Sequence, residues 1–154
     1  MSTVPTLARP YEMLRPKVLQ RLLERRSTLD PSLGRLDEAT ARAQIGAVLD
    51  HVGNFIATGD VGLHRAFLHT FLAMRAAEGQ SPASVLAMLV AIGDTAAQVA
   101  QEQGRTADGG ELTLLLTRVT ASTARAVNDL IAEEVGRRAE QRAELTRRAR
   151  EGAL

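Results

Sequence analysis

Apolar residues recur at three- and four-residue spacing along nearly the whole chain, and nowhere do they alternate as a half-buried strand requires. The pattern resolves into five long helical segments. In the first, Leu14, Val18 and Leu22 form a stripe with Leu19 and Leu23 beside it. Pro10 fits a first helical turn, where its missing N–H costs nothing, and Pro16 then bends the helix. Arg25 and Arg26 suit the negative end of the helix dipole. Residues 27–36, with Asp30-Pro31 and Gly34, are expected to be a loop, and residues 1–9 a flexible tail.

A second helix is predicted from Asp37 as N-cap to Thr58, ended by Gly59. Ile45, Val48, Leu49, Val52, Phe55 and Ile56 share one of its faces. Gly46 and Gly53 lie beside that face and admit a neighbouring helix at close range, although each weakens the helix by about 1 kcal/mol relative to Ala. Asp60 caps a third helix running to Glu78, with Leu63, Phe67, Phe71 and Met74 on one line, Leu68 and Leu72 beside it, and Gly79 as its stop. The two-residue connection Gly59-Asp60 makes helices two and three neighbours. Ser81-Pro82 opens a fourth helix, apolar nearly all round through Val85, Leu86, Met88, Leu89, Val90, Ile92 and Val99. A helix with no wet face belongs at the centre of a bundle.

The last segment, Glu111 to Arg150, is one helix of two unlike halves, opened by the capping-box-like spacing of Asp108 and Glu111. From Leu112 to Val135 apolar residues keep a single face and must be packed. From Gly136 onward only Ala139, Ala143, Leu145 and Ala149 are apolar, too little to bury against a core. At about 1.5 Å per residue, forty residues run to roughly 60 Å, so a rod should protrude from a compact body. The expected architecture is all-α: a tail over residues 1–9, a helical body over 10–135 and a protruding helix over 136–154.

Composition narrows the function classes. With 154 residues the chain fits one domain, and 45% apolar against 24% charged residues excludes wholesale disorder. Three Phe, one Tyr and no Trp leave little for stacking single-stranded nucleic acid or walling a ring-lined pocket. A net charge of +1 draws no polyanion to the molecule as a whole. The terminal half-helix carries six Arg against three Glu, but these fall in four-apart sets of opposite charge, as on a solvated or coiled-coil helix, so neither nucleic acid nor membrane is expected as a partner. The absence of cysteine, of a secretory pattern and of an uncharged run longer than the 15 residues from Gly79 to Gly93 points to a soluble, cytoplasmic protein.

The stretch from Leu36 to Glu102 resembles the N-terminal domain of the RsbT co-antagonist (RsbR/RsbRD) family. The residues that carry the likeness are the Gly59-Asp60 turn, the helix end Phe71-Leu72-Ala73-Met74-Arg75-Ala76-Ala77-Glu78-Gly79, and the Ser81-Pro82-Ala83-Ser84-Val85-Leu86 entry to an apolar helix. The long last helix is similar to the linker that joins this domain to a STAS output domain in that family. The resemblance implies a globin-like five-helix bundle that carries no haem, a homodimer, and an input role in a stressosome-like complex. It further implies a STAS-domain or kinase partner, either following this segment in a longer protein or supplied by another chain.

Candidate chemistry is sparse. His64 and His69 are five apart on a helix, about 140° around it, and cannot share a metal as residues four apart do, so no metal site is expected. His51 or His69 is a conceivable haem ligand, but a lone helical His is more often hydrogen-bonded in a core, and no cofactor is expected. No nucleophile elbow, phosphate-cradling glycine loop or paired carboxylates appear, so no catalytic residue is assigned and the chain is not read as an enzyme. The expected dimer seam comprises Leu116, Val119, Thr123, Ala126, Val127 and Leu130 on the last helix. His69, Arg75 and Asp94 are candidates for a sensed ligand, with rim solvation or pairing as the plainer account of Arg75 and Asp94. A small-molecule or haem-binding helical protein is the alternative to a regulatory, sensory dimer.

Overall fold

Six helices account for the computed structural model, which describes residues 3–29, 31–103 and 109–152. They are α1 (Thr3–Leu29), α2 (Pro31–Gly34), α3 (Glu38–Thr58), α4 (Val61–Ala77), α5 (Pro82–Glu102) and α6 (Gly109–Gly152). Among the described residues there is no strand, so the fold class is all-α.

The boundaries of the middle helices follow from local chemistry. Asp37 Oδ1 accepts from Thr40 N–H at 2.7 Å, Asp60 Oδ1 from Leu63 N–H at 3.0 Å, and Ser81 Oγ from Ser84 N–H at 3.1 Å. Each satisfies an amide that the first helical turn leaves without a partner. Gly59 ends α3 at φ 66°, a left-handed conformation that a side chain would disfavour, and its N–H returns to Phe55 O. Asp108, the expected cap of the last helix, lies outside the described residues.

The N-terminal third departs from the sequence expectation. Residues 3–9 are helical rather than a tail, because Leu7 and Tyr11 extend the stripe of Leu14, Val18 and Leu22 back by two turns into the core. Pro5 stands in the first turn, where no hydrogen bond is lost, while the bonds forgone at Pro10 and Pro16 are offset by the burial of that stripe. The expected loop over residues 27–36 is shortened by α2, a single turn that places Leu33 fully inside. α1 comes close to α3 over its two glycines. A Cβ on Gly53 would stand 3.1 Å from the Tyr11 ring, whose hydroxyl donates to Leu49 O at 2.6 Å, and Arg15 Nη2 donates to Gly46 O at 3.2 Å. Burial raises the pKa of the Tyr11 hydroxyl, so it stays a neutral donor.

α5 lies at the centre, with eight buried residues from Val85 to Ala100. It is also the one described helix long and apolar enough to cross a membrane, and 44% of its apolar window is buried in the bundle. It does keep a wet strip, formed by Ala87, Asp94 and Gln98, that the sequence pattern does not anticipate. α6 lies along α5 and is one uninterrupted helix of 44 residues, about 66 Å at 1.5 Å per residue. Leu112, Leu116, Val119, Thr123, Val127 and Leu130 face the bundle. From Val135 to Gly152 every side chain is exposed except the half-buried Glu144.

The helices α5 and α6 touch most closely where Gly93 meets Thr120. A Cβ at residue 93 would run into Thr120 Oγ1 and fall 2.9 Å from Thr120 Cβ, an atom that no rotation about χ1 moves. Gly93→Ala is therefore expected to cost about 1–3 kcal/mol of unfolding free energy. Adding Thr120→Ala should recover part of it. Urea titration followed by circular dichroism checks both, and an unaltered midpoint in the single variant would contradict the close approach.

Candidate functional site

α4 does not present the face that its apolar line predicts. Leu63 and Met74 are 62% and 54% exposed, while the buried residues are His64, Leu68, Phe71 and Arg75, at the spacing of one helical stripe. The helix is turned by about one residue, which brings two ionisable side chains into the interior. His64 has partners that only the tertiary fold supplies, whereas those of Arg75 are local, Phe71 and Glu78.

His64 stands between α3 and α6. Its Nδ1 is 2.7 Å from His51 Nε2, and its Nε2 is 3.2 Å from Thr123 Oγ1. One proton occupies the imidazole gap. Either Thr123 donates to His64 and His64 to His51, or His51 donates to His64 and His64 to Thr123; both arrangements satisfy His64 completely. Aromatic rings enclose the pair. His51 stacks on Phe67 with centroids 4.0 Å apart and planes 7° from parallel, and Phe55 lies 4.6 Å from His64. Burial, with the neighbouring His64 adding a smaller effect, pushes the His51 pKa down to about 4, and burial lowers that of His64. Both rings are neutral at pH 7.

The pair helps to line a cavity of about 30 Å³ walled mainly by apolar side chains of α3, α4, α5 and α6, with His51, His64, Thr120 and Thr123 as its polar members. That is the space of one water molecule, and a porphyrin would fit only if the helices separated. His64 has both ring nitrogens engaged, by His51 and by Thr123, while His51 commits its Nε2 to the pair. Among the described residues no three His, Cys, Asp or Glu side chains gather as a metal site would require.

The second buried ionisable group, Arg75, lies at the far end of the same aromatic row. Phe67 and Phe71 stack at 5.5 Å, and the Arg75 guanidinium sits 5.2 Å from the Phe71 centroid. Nη1 is 3.2 Å from Glu78 Oε2.

The residues singled out in the sequence are distributed differently from expectation. Leu116, Val119, Thr123, Val127 and Leu130 are buried within their own chain, and Ala126 is half-buried, so the expected dimer seam is an intramolecular face. The stripe is the correct packed face of α6, but its neighbours are α5, α4 and α1. His69, Arg75 and Asp94 do not converge: His69 is exposed at the edge of an α4–α6 groove with Arg137 and Arg138, Arg75 is buried between α3 and α4, and Asp94 is solvated on α5. The His51–His64 pair was not anticipated. The two-residue Gly59-Asp60 connection is the signal that could have found it, since it folds residues 51–55 against residues 64–67.

Comparison with known family models, characterised proteins and solved structures gives no match for the chain.

The depressed histidines make stability depend on pH in a defined direction. The unfolded chain, with ordinary histidines near 6.5, takes up protons more readily than the folded chain, in which His51 is pushed down to about 4 and His64 is shifted in the same direction. Stability should therefore be fully present above pH 7 and fall as pH drops from about 6.5 toward 4. The carboxylates held low by their partners, Asp37, Glu102, Glu134 and Glu144, add their own loss only below about 4.5. Urea midpoints at pH 5 and pH 7 read the effect. The double variant His51→Phe/His64→Leu should flatten the slope in that window, and an undiminished slope would place its origin elsewhere.

Proposed function

We propose that the chain is a regulatory, sensory input domain that acts as a homodimer and passes changes in its helical body along α6 to an output partner. The observation that carries this reading is α6 itself: one helix with its first half in the core and its second half in solvent. Thr123, on the buried half, touches the His51–His64 pair, so a change there bears directly on the rod. The likeness of residues 36–102 to RsbT co-antagonist N-terminal domains supports the same reading. It supplies the proposed setting: a globin-like body without haem, a STAS-domain or kinase output partner, and a stressosome-like assembly in the cytoplasm. No catalytic role is proposed.

With the inner stripe of α6 occupied, the dimer seam falls on its outer face. Leu114, Ala121, Asn128 and Val135 are all exposed and seven residues apart, with Ala132 and Ala139 beside them. A two-stranded coiled coil takes apolar residues at two positions of each heptad; Ala132 and Ala139 fill the second position after Asn128 and Val135, while Arg118 and Arg125 hold it after Leu114 and Ala121, and a single Asn in such a seam fixes register and strand number. Four of the rod's six arginines are paired within their own helix, Arg137 and Arg138 with Glu134, Arg147 and Arg148 with Glu144, which reduces the positive charge met by a like neighbour.

Light scattering on the full chain should give twice 16.6 kDa. The double substitution Leu114→Glu/Val135→Glu alters only exposed positions, so it should halve that mass while the helical circular dichroism stays unchanged. Leu130→Glu should instead unfold the chain, because its side chain is inside. A wild-type mass of one chain at tens of micromolar would remove the dimer.

A further inference from the structure

We propose that the groove between α3 and α4 binds a small amphiphilic carboxylate, its acid group on the Arg75 guanidinium and its hydrocarbon body along Phe67, Phe71 and Met74. The inference rests on the sensory reading only in calling such a compound a signal; binding itself stands or falls independently.

Arg75 is 5% exposed, yet its hydrogen bonding is incomplete. A guanidinium carries five N–H groups. Its Nε and Nη1 are out of reach of water and have no hydrogen-bond partner among the described residues. Nη1 does face Glu78 Oε2 at 3.2 Å, as a charge contact without hydrogen-bond geometry. The Glu78 side chain is half in solvent, and it also accepts the long 3.5 Å contact from Gln44 Nε2. Gln44, itself 6% exposed, leaves its Oε1 unpartnered as well. Buried donors and acceptors left unmade are costly, and a hydrophobic residue at 75 would fill the space without that penalty.

Beside these groups lies a surface groove that Arg75 and Gln44 help to line. Gln44, Phe67, Phe71 and Arg75 form the floor of a groove of about 290 Å³, with Ala43 and Ala47 of α3 on one wall and Thr70 and Met74 of α4 on the other. Ala43 and Ala47, one turn apart and exposed, keep that wall low. The volume is at the lower end of small-molecule sites, which span about 300–1,000 Å³, so nucleotides are too large. The lining is apolar apart from Arg75, Gln44 and Thr70, which calls for one anionic end and a hydrocarbon or aromatic body. A carboxylate matches the guanidinium fork with two parallel N–H···O bonds, a geometry Glu78 does not achieve from three residues along the same helix. When the ligand enters, Glu78 moves out to solvent and Gln44 donates its freed amide N–H to the bound carboxylate.

Calorimetric titration of the full chain with octanoate and with phenylacetate tests the proposal, using octan-1-ol and inorganic phosphate as controls. Saturable binding of one octanoate per chain is expected, with neither control competing. Arg75→Met should weaken octanoate at least tenfold. Glu78→Gln, which removes the competing carboxylate, should tighten it. Ala47→Phe should fill the groove from an exposed position and abolish binding with Arg75 in place and thermal stability unchanged. These last two carry the test if Arg75→Met does not fold. Absence of saturable octanoate binding, equal affinity for octan-1-ol, or full binding by Ala47→Phe would overturn the proposal, while the mass by light scattering reports separately on the dimer.

Discussion

The packing of α5 against α6 is the constraint on which the rest of the molecule depends. α5 is nearly all apolar and has to be surrounded, and α6 supplies the longest continuous surface that covers it. The two backbones come close because residue 93 has no side chain, which lets Thr120 settle directly over it. Once that contact is made, the direction of α6 is fixed by its buried half. Its exposed half follows as a rigid extension, since no Pro interrupts it and its charges pair three and four residues apart along its own length. The protruding helix is thus a consequence of core packing, and any shift of α6 in the body is carried to its far end.

The parts of this fold that were legible in the sequence are those governed by short-range chemistry. Asp37, Asp60 and Ser81 cap helices by bonds to amides three residues on, and Gly59 turns left-handed because it lacks a Cβ; none of this needs the rest of the chain. The glycines at 46 and 53 likewise signalled a close neighbour, which α1 provides. The start of α1 was not legible, because three prolines within sixteen residues argue locally against a helix. The burial of Leu7 and Tyr11, a tertiary effect, outweighs them.

The candidate site was harder to read for the same reason. Apolar content alone puts Leu63, Phe67, Phe71 and Met74 inward on α4, but the helix rotates so that His64 meets His51 and Thr123 while Arg75 lies against Phe71. Hydrophobic periodicity counts a histidine or an arginine as a surface residue, and it cannot see that a partner thirteen or fifty-nine residues away will satisfy one. The inner stripe of α6 was recognised correctly as packed, yet a stripe carries no label saying whether its partner belongs to the same chain. Asp94 shows the opposite case, a lone charge on an apolar helix that simply faces water.

These departures converge on α4. It buries only four side chains, two of them polar, whereas α5 buries eight, of which Thr95 alone is polar. Apolar packing is non-directional and tolerates a small slide, but hydrogen bonds and ion pairs hold only over a narrow range of geometry. The position of α4 is therefore set disproportionately by His64, which meets His51 of α3 and Thr123 of α6, while Arg75 at the other end of the buried line meets Phe71 and Glu78 of its own helix and its cap, with the stacked rings of Phe67 and Phe71 between them. Protonating the histidine pair would force two protons into a 2.7 Å gap, and engaging Arg75 from the α3 side would draw on the same row of rings from the opposite end. Because Thr123 of α6 bonds to His64, either event is felt by the helix that leaves the body. A helix held by a few directional contacts, next to a rod held by many non-directional ones, is the arrangement on which the proposed sensory role rests.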